Sequence, residues 1–245
     1  MDSGYYAILT GLVTRSQALD TAANNLANAN TNGFRAERDF FRGALLGADA
    51  PNSQLNSALN GFGVVGGNGI DRTQGQLTRT GNPLDVAIEG QGFLAVRTPA
   101  GTRYTRDGAL SRAVDGTLVS ARGEAVLDTA GRPIVLPPGE TAIALDGSVS
   151  VAGGIVGRIQ LAEFVPATPL VPEGAGLYRA PTGTAQPATA GALHQGMLES
   201  SNMNVIDGTM QLLLLQKQAE MMQKALSMFH TEFNKTATEE LSRVS

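Results

Sequence analysis

The chain contains no cysteine. That excludes a disulfide-stapled scaffold and a zinc site with thiolate ligands. It leaves the cellular compartment open, although it suits passage through an oxidising space without wrong crosslinks. Histidine occurs only at His194 and His230, far apart in sequence, so no metal centre is expected. Charge is sparse: 16% of residues are charged against the usual quarter, and the net charge is −4. No basic cluster stands out, and a protein that grips a phosphate backbone needs one, so nucleic acid is not an expected partner. The longest aliphatic run, Leu212 to Leu215, falls far short of the ~20 residues that span a bilayer, so membrane insertion is not expected. The first residues show no basic stretch leading into an apolar run, which predicts export, if there is any, without a cleavable signal peptide.

What is present is apolar and turn-rich. Hydrophobic residues make up 42% of the 245 residues, with 30 glycines and 11 prolines. Three zones follow one another. From Asp2 to Asn32, apolar residues recur at Tyr5, Leu12, Leu19 and Leu26, a seven-residue step. Ile8, Leu9, Ala22 and Ala23 fill the intervening positions. This is the stripe of an amphipathic helix. Asp2 or Ser3 suits its start, and Asn32-Gly33 suits its end, where glycine takes a left-handed conformation.

The middle zone opens with Phe34 to Asp71, which is weakly periodic and reads as an irregular connector. Short β-type segments follow at Leu84–Ile88, Phe93–Arg97, Leu110–Ala113, Thr117–Val119, Thr141–Leu145 and Ile155–Phe164. Asp107-Gly108, Asp115-Gly116 and Asp146-Gly147 lie between such segments and predict hairpin turns. Pro166 to Gly191, rich in Pro, Gly, Ala and Thr, reads as an irregular return path.

In the third zone Val205, Leu212, Ala219, Leu226 and Phe233 keep a seven-residue step. Leu215, Met222 and Phe229 keep a second one, three residues later. Together they are the a and d positions of a heptad. Asn204 with Asp207 predicts the cap of this helix. Gly208 falls on the d frame at a cost of ~1 kcal/mol relative to alanine, so the seam is expected to tighten from Leu212 onward.

The expected fold is a mainly β central domain, antiparallel and hairpin-rich, plus a helical domain in which the N- and C-terminal helices pack as a coiled coil. The expected boundaries are 1–33 for the N-terminal helix, 34–71 for the connector, 72–195 for the β domain with its return loop, and 196–245 for the C-terminal helix. A lone helix with an exposed stripe is marginal in water. The two stripes are therefore expected to face each other, with neighbouring copies of the chain covering what remains.

Enzyme signals are weak. Gly61-Phe62-Gly63-Val64-Val65-Gly66 matches a spaced-glycine nucleotide pattern but lacks the strand-to-helix context that gives it meaning. Ser200-Ser201 lacks a nucleophile elbow. Asp85 and Glu89 stand four apart in a strand-like segment, which does not pair carboxylates for acid–base work. No catalytic, cofactor-binding or metal-binding residue is expected.

Longer motifs carry a resemblance. Residues Ala23 to Arg35, reading ANNLANANTNGFR, resemble the N-terminal signature of the flagellar basal-body rod and hook proteins. Gly81 to Phe93, reading GNPLDVAIEGQGF, and Tyr104 to Gly108, reading YTRDG, are similar to central motifs of the same family. Gly196 to Val205, reading GMLESSNMNV, resembles the segment that opens its C-terminal helix. The motifs occur in family order along nearly the whole chain.

The resemblance implies a structural axial subunit, exported unfolded through the flagellar type III export apparatus. Its partners would be copies of itself and other rod proteins, and its place the basal body across the periplasm. Its terminal helices would form the inner tube with the β domain outside. Chain length points to the larger rod proteins. Gln216-Lys217-Gln218-Ala219-Glu220 lacks the tyrosine that distal-rod members carry there, which favours the proximal rod over a distal-rod or hook-like member. The reading from another class is a secreted β-domain binding module with an oligomerising helical stalk.

On this resemblance Asn24, Asn25, Asn28, Gly33, Phe34, Asn202 and Asn204 join the striped residues as expected assembly positions. Two readings of the asparagines stand: a polar outer face with a frayed helix end, or amides that bond the backbones of adjacent subunits.

Overall fold

A computed structural model describes residues 2–42, 64–188 and 191–244, with the side chains of 2–8, 39–42, 64–68, 229, 230 and 232–244 left aside. The chain divides into two compact units. One contains residues 1–26, 37–68 and 205–245, and the other contains 27–36 and 69–204.

The second unit is built from antiparallel strands. At the centre of its largest sheet, Phe93–Thr98 pairs with Gly101–Thr105 on one side and with Ala125–Val126 and Leu161–Glu163 on the other. A three-stranded sheet joins Thr141–Ile143, Ser148–Val151 and Gly154–Arg158. Alternating strand residues, among them Val86, Ile88, Leu94, Val96, Leu118 and Val149, are fully buried in one core. A second cluster stacks Phe93 edge-on against Phe164 and Tyr178, with ring centroids 5.9 and 5.7 Å apart. Two further ladders close the unit. Ala192–Gln195 pairs with Val86–Glu89, and Met197–Glu199 pairs with Leu77–Arg79, which brings the end of the unit back onto its beginning.

Asp115-Gly116 and Asp146-Gly147 do form hairpin turns, between Leu110–Arg112 and Leu118–Ser120 and between Thr141–Ile143 and Ser148–Val151. Asp107-Gly108 does not. The strands flanking it, Gly101–Thr105 and Leu110–Arg112, pair with other partners. Gly108 is needed there for close approach, since a Cβ would lie 1.7 Å from the Val86 carbonyl oxygen. The return path is also more ordered than its composition suggests. Leu177–Arg179 extends the main sheet beside Gly101–Thr105, and Val171–Pro172 and Gln186–Pro187 add short ladders. In the expected connector, Glu37–Arg42 and Val64–Ile70 pair as a two-stranded sheet. Residues 43–63, with the first part of the spaced-glycine pattern, lie outside the described residues.

The turn aspartates make the unit acid-sensitive. Backbone N–H groups of Thr117, Arg132 and Ser148 hold the carboxyls of Asp115, Asp128 and Asp146 below the ordinary value of 3.8. A depressed folded-state pKa stabilises the fold above the unfolded value, and this contribution is lost as pH falls through the lowered values. The melting temperature is therefore expected to fall on acidification below pH ~4. A flat or rising thermal midpoint over that range would contradict this, and Asp146→Asn is expected to weaken the dependence.

In the first unit the N-terminal helix spans Asp2–Ala27 and the C-terminal helix spans Val205–Val244. The N-terminal helix stops short of the Asn32-Gly33 end expected for it, and a turn begins at Asn28, where Thr31 N–H returns to the Asn28 carbonyl. Asn28, Asn30 and Asn32 follow, and their amides compete for backbone bonds. Ala18, Ala22 and Leu215 form the buried contact between the helices, with Leu19 and Leu212 half-buried beside it.

A junction of three motifs

Helical periodicity decides which side chains of the first unit meet. The buried line of the N-terminal helix is Gly11, Thr14, Ala18, Ala22 and Asn25, while Leu12, Leu19 and Leu26 flank it half-buried and Asn24 is exposed. Small residues let two helix backbones approach, and leucines then close the sides. On the C-terminal helix the least exposed line is Gly208, Leu212, Leu215, Ala219, Met222 and Leu226. Val205, at the helix start, is exposed, and Asn204 stands at the N-cap position with Asp207 in the first turn. The side chains of Tyr5, Ile8, Phe229 and Phe233 lie outside the described residues.

Asn25 is spoken for within its own chain. Its Oδ1 accepts from Glu37 N–H and its Nδ2 donates to the Glu37 carbonyl, both at 2.8 Å. This amide therefore imitates a strand neighbour for Glu37. Asn202 does the same in the second unit. It accepts from Ala36 N–H at 2.8 Å and donates to the carbonyls of Asp71 and Thr73 at 3.0 Å.

Between Gly33 and Asn202 lies a buried ionic cluster. The Glu199 carboxylate is fully enclosed, with Arg35 and Arg106 on either side at 2.6 and 2.7 Å. Arg106 wraps the loop of the central motif: Nε donates to the Gly92 carbonyl at 2.8 Å, Nη2 to that of Gly90, and Nη1 to that of Ile88 at 3.3 Å. Its guanidinium also sits 5.6 Å from the centre of the Phe93 ring. Gly75 N–H donates to Glu199 Oε1 at 2.7 Å.

Arg35 is less well held. Nη1 donates to the Thr73 carbonyl at 2.5 Å. Nη2 pairs with Glu199 Oε1 at 2.6 Å, and the buried Nε has no hydrogen-bond acceptor among the described residues. Burial, and then the neighbouring Arg106, push the Arg35 guanidinium below its ordinary pKa, while Glu199 pulls it back.

Each sequence motif supplies one corner: Gly33 to Arg35 from the N-terminal signature, Ile88 to Phe93 and Arg106 from the central motifs, Glu199 to Asn202 from the C-terminal one. Phe34 is buried here, its carbonyl accepting from Asn202 N–H, and Gly33 N–H donates to the Glu199 carbonyl at 2.7 Å. Arg35, Arg106 and Glu199 stand inside these motifs, but no local spacing assigns them a role. The available signal was charge placed inside apolar, glycine-rich segments of a charge-poor chain.

The model described as "Flagella basal body rod protein" matches residues 6–35, and that of the "Flagellar hook protein FlgE/F/G D1 domain" matches 87–151. A flagellar basal-body rod protein FlgF of Caulobacter vibrioides is 36% identical over the full length of both chains. The chain belongs to the flagellar basal-body rod protein family. A FlgF of Mesorhizobium japonicum is also 36% identical, over 90% of each chain, and a FlgG of Bacillus subtilis is 32% identical over 86% of this chain and 89% of its own. As a rod-family protein, the chain is a structural protein of the flagellar basal body. No helix among the described residues is long and apolar enough to cross a membrane.

Proposed function

We propose that this chain is a structural subunit of the proximal rod and has no catalytic role. Its terminal helices pack along the heptad line as a coiled coil, and together with copies of the chain and other rod proteins they build the hollow axial shaft. The β domain, residues 72–195, is carried outside that core. The subunit reaches its place through the flagellar type III export apparatus. Full-length similarity to a FlgF supports the proximal position.

The observation that carries this reading is the C-terminal helix. Its least exposed line steps by four and three residues from Gly208 to Leu226, the spacing of a and d positions. Leu215 uses that line against Ala18 and Ala22. Met210, Leu213, Leu214, Met221 and Met228 remain exposed on the rest of the helix. Burying each in an assembly would contribute ~1.5–3 kcal/mol, so a single chain leaves most of this helix's apolar surface for neighbours.

The test is complementation of a flagellated host that lacks its own copy of the gene. A Leu212→Asp/Leu215→Asp chain is expected to be made, to keep a folded β unit and to abolish swimming. Normal swimming would defeat the reading. Electron microscopy of the deletion strain then tests the position, since a rod that stops before its proximal segment is complete is expected. The chain's lysines, Lys217, Lys224 and Lys235, all lie on this helix, so amine-reactive labelling of side chains reports its burial in assembled rods.

A further inference from the structure

The hydrogen bonds at the junction are not shared evenly between the two chain ends. The C-terminal arm is fixed to the β unit directly. Met197–Glu199 forms a ladder with Leu77–Arg79, Ser200 N–H donates to the Gln76 carbonyl at 2.8 Å, and Glu199 is held by Gly75 and by Arg106. Every guanidinium nitrogen of Arg106 donates. The N-terminal arm, residues 33–36, divides its bonds evenly, and half of them run to the C-terminal arm. Gly33 N–H reaches the Glu199 carbonyl, Ala36 N–H reaches Asn202, and the Phe34 carbonyl receives Asn202 N–H. The other half go elsewhere in the unit: Arg35 N–H to the Tyr178 hydroxyl at 3.1 Å, Arg35 Nη1 to Thr73, and the Ala36 carbonyl from Asp71 N–H.

The charges follow the same asymmetry. Two guanidiniums face one carboxylate, and Arg35 is the member whose buried Nε has no hydrogen-bond acceptor among the described residues. A buried cation with incomplete partners is costly. Arg106 has no such deficit.

We infer that the junction is a two-stage latch, in which the C-terminal arm docks first as a permanent part of the β unit and the N-terminal arm docks onto it as a releasable second stage. The arm follows the N-terminal helix in the chain, so its release undocks residues 33–36 while residues 197–202 stay fixed in the β unit. This inference rests on the junction alone and stands whichever rod segment the chain builds.

Hydrogen exchange of the full-length protein tests it. In the unaltered chain the amides of Gly33, Arg35 and Ala36 are expected to exchange at least on the order of tenfold faster than those of Gly75, Leu198 and Ser200. Arg35→Met is expected to change exchange only in residues 33–36, whereas Arg106→Met is expected to accelerate both arms together. Asn202→Ala, which removes the amide that receives Ala36, is expected to speed the N-terminal arm alone. Equal protection of the two arms in the unaltered chain would overturn the latch. So would an Arg35→Met chain in which residues 197–200 open as much as 33–36.

Discussion

Glu199→Ala is expected to destabilise the β unit by about 3–5 kcal/mol, because it strands two buried guanidiniums. The glutamate is the only carboxylate bonded to Arg35 and Arg106 among the described residues. Its removal also takes the acceptor from Gly75 N–H. No water-exposed route is open to either cation, since the Arg35 and Arg106 side chains are 1% and 3% exposed. For a chain of this size the loss corresponds to a fall in melting temperature on the order of 10 °C or more. Glu199→Gln keeps the shape and one oxygen acceptor but loses the charge, and is expected to fall between the two. Thermal melts followed in the near-ultraviolet, where the buried Tyr178 reports packing, measure both. A Glu199→Ala chain that melts at the same temperature as the unaltered one would show that the cluster holds nothing together.

The same cluster marks where the sequence is readable and where it is not. Local pattern is written in the regular segments. Short apolar runs at Val86–Ile88 and Phe93–Val96, buried at every position, give strands, and the seven-residue steps from Leu212 to Leu226 give a helix with one covered line. The turn chemistry of Asp115-Gly116 and Asp146-Gly147 is local too, because each aspartate bonds an amide two residues on. By contrast Arg106 and Glu199 are 93 residues apart, and Arg35 meets Tyr178 across 143. No period or spacing encodes such a meeting. It depends on the ladder between Leu77–Arg79 and Met197–Glu199, which three-residue strands announce too faintly to read. The brief strands at Val171–Pro172 and Leu177–Arg179 escape for the same reason: their stability comes from a distant partner and not from their composition.

The stripe of the N-terminal helix shows a subtler limit. Leucine marks the covered side, and Leu12, Leu19 and Leu26 are indeed half-buried. The most buried line runs one position earlier, through Gly11, Ala18 and Asn25. Hydrophobic weight identifies a face about a third of a turn wide. Which residue lies on the contact line is decided by how closely the backbones approach, and small residues win that position over large ones.

Gly33→Ala is the second change with a large expected effect, and its consequence differs in kind. Gly33 has φ +64°, and a Cβ there would sit 2.2 Å from the Arg106 carbonyl carbon and 2.3 Å from its oxygen. The left-handed backbone alone costs a non-glycine residue about 1–3 kcal/mol. The clash is with backbone on both sides, so no side-chain rotation relieves it. Arg106 cannot retreat without giving up its bonds to Gly90, Gly92 and Glu199. The N-terminal arm can retreat at smaller cost, because half of its hydrogen bonds run to the other arm. The expected result is therefore a chain whose β unit still melts cooperatively, whose residues 33–36 lose protection from exchange, and whose rods fail to support swimming. Full loss of the β unit would mean that the two arms are one cooperative block. Unchanged exchange at residues 33–36 would mean that the Gly33 and Arg106 backbones do not touch in solution. Only selective undocking is compatible with a junction whose one arm is fixed and whose other arm is held by a half-satisfied arginine.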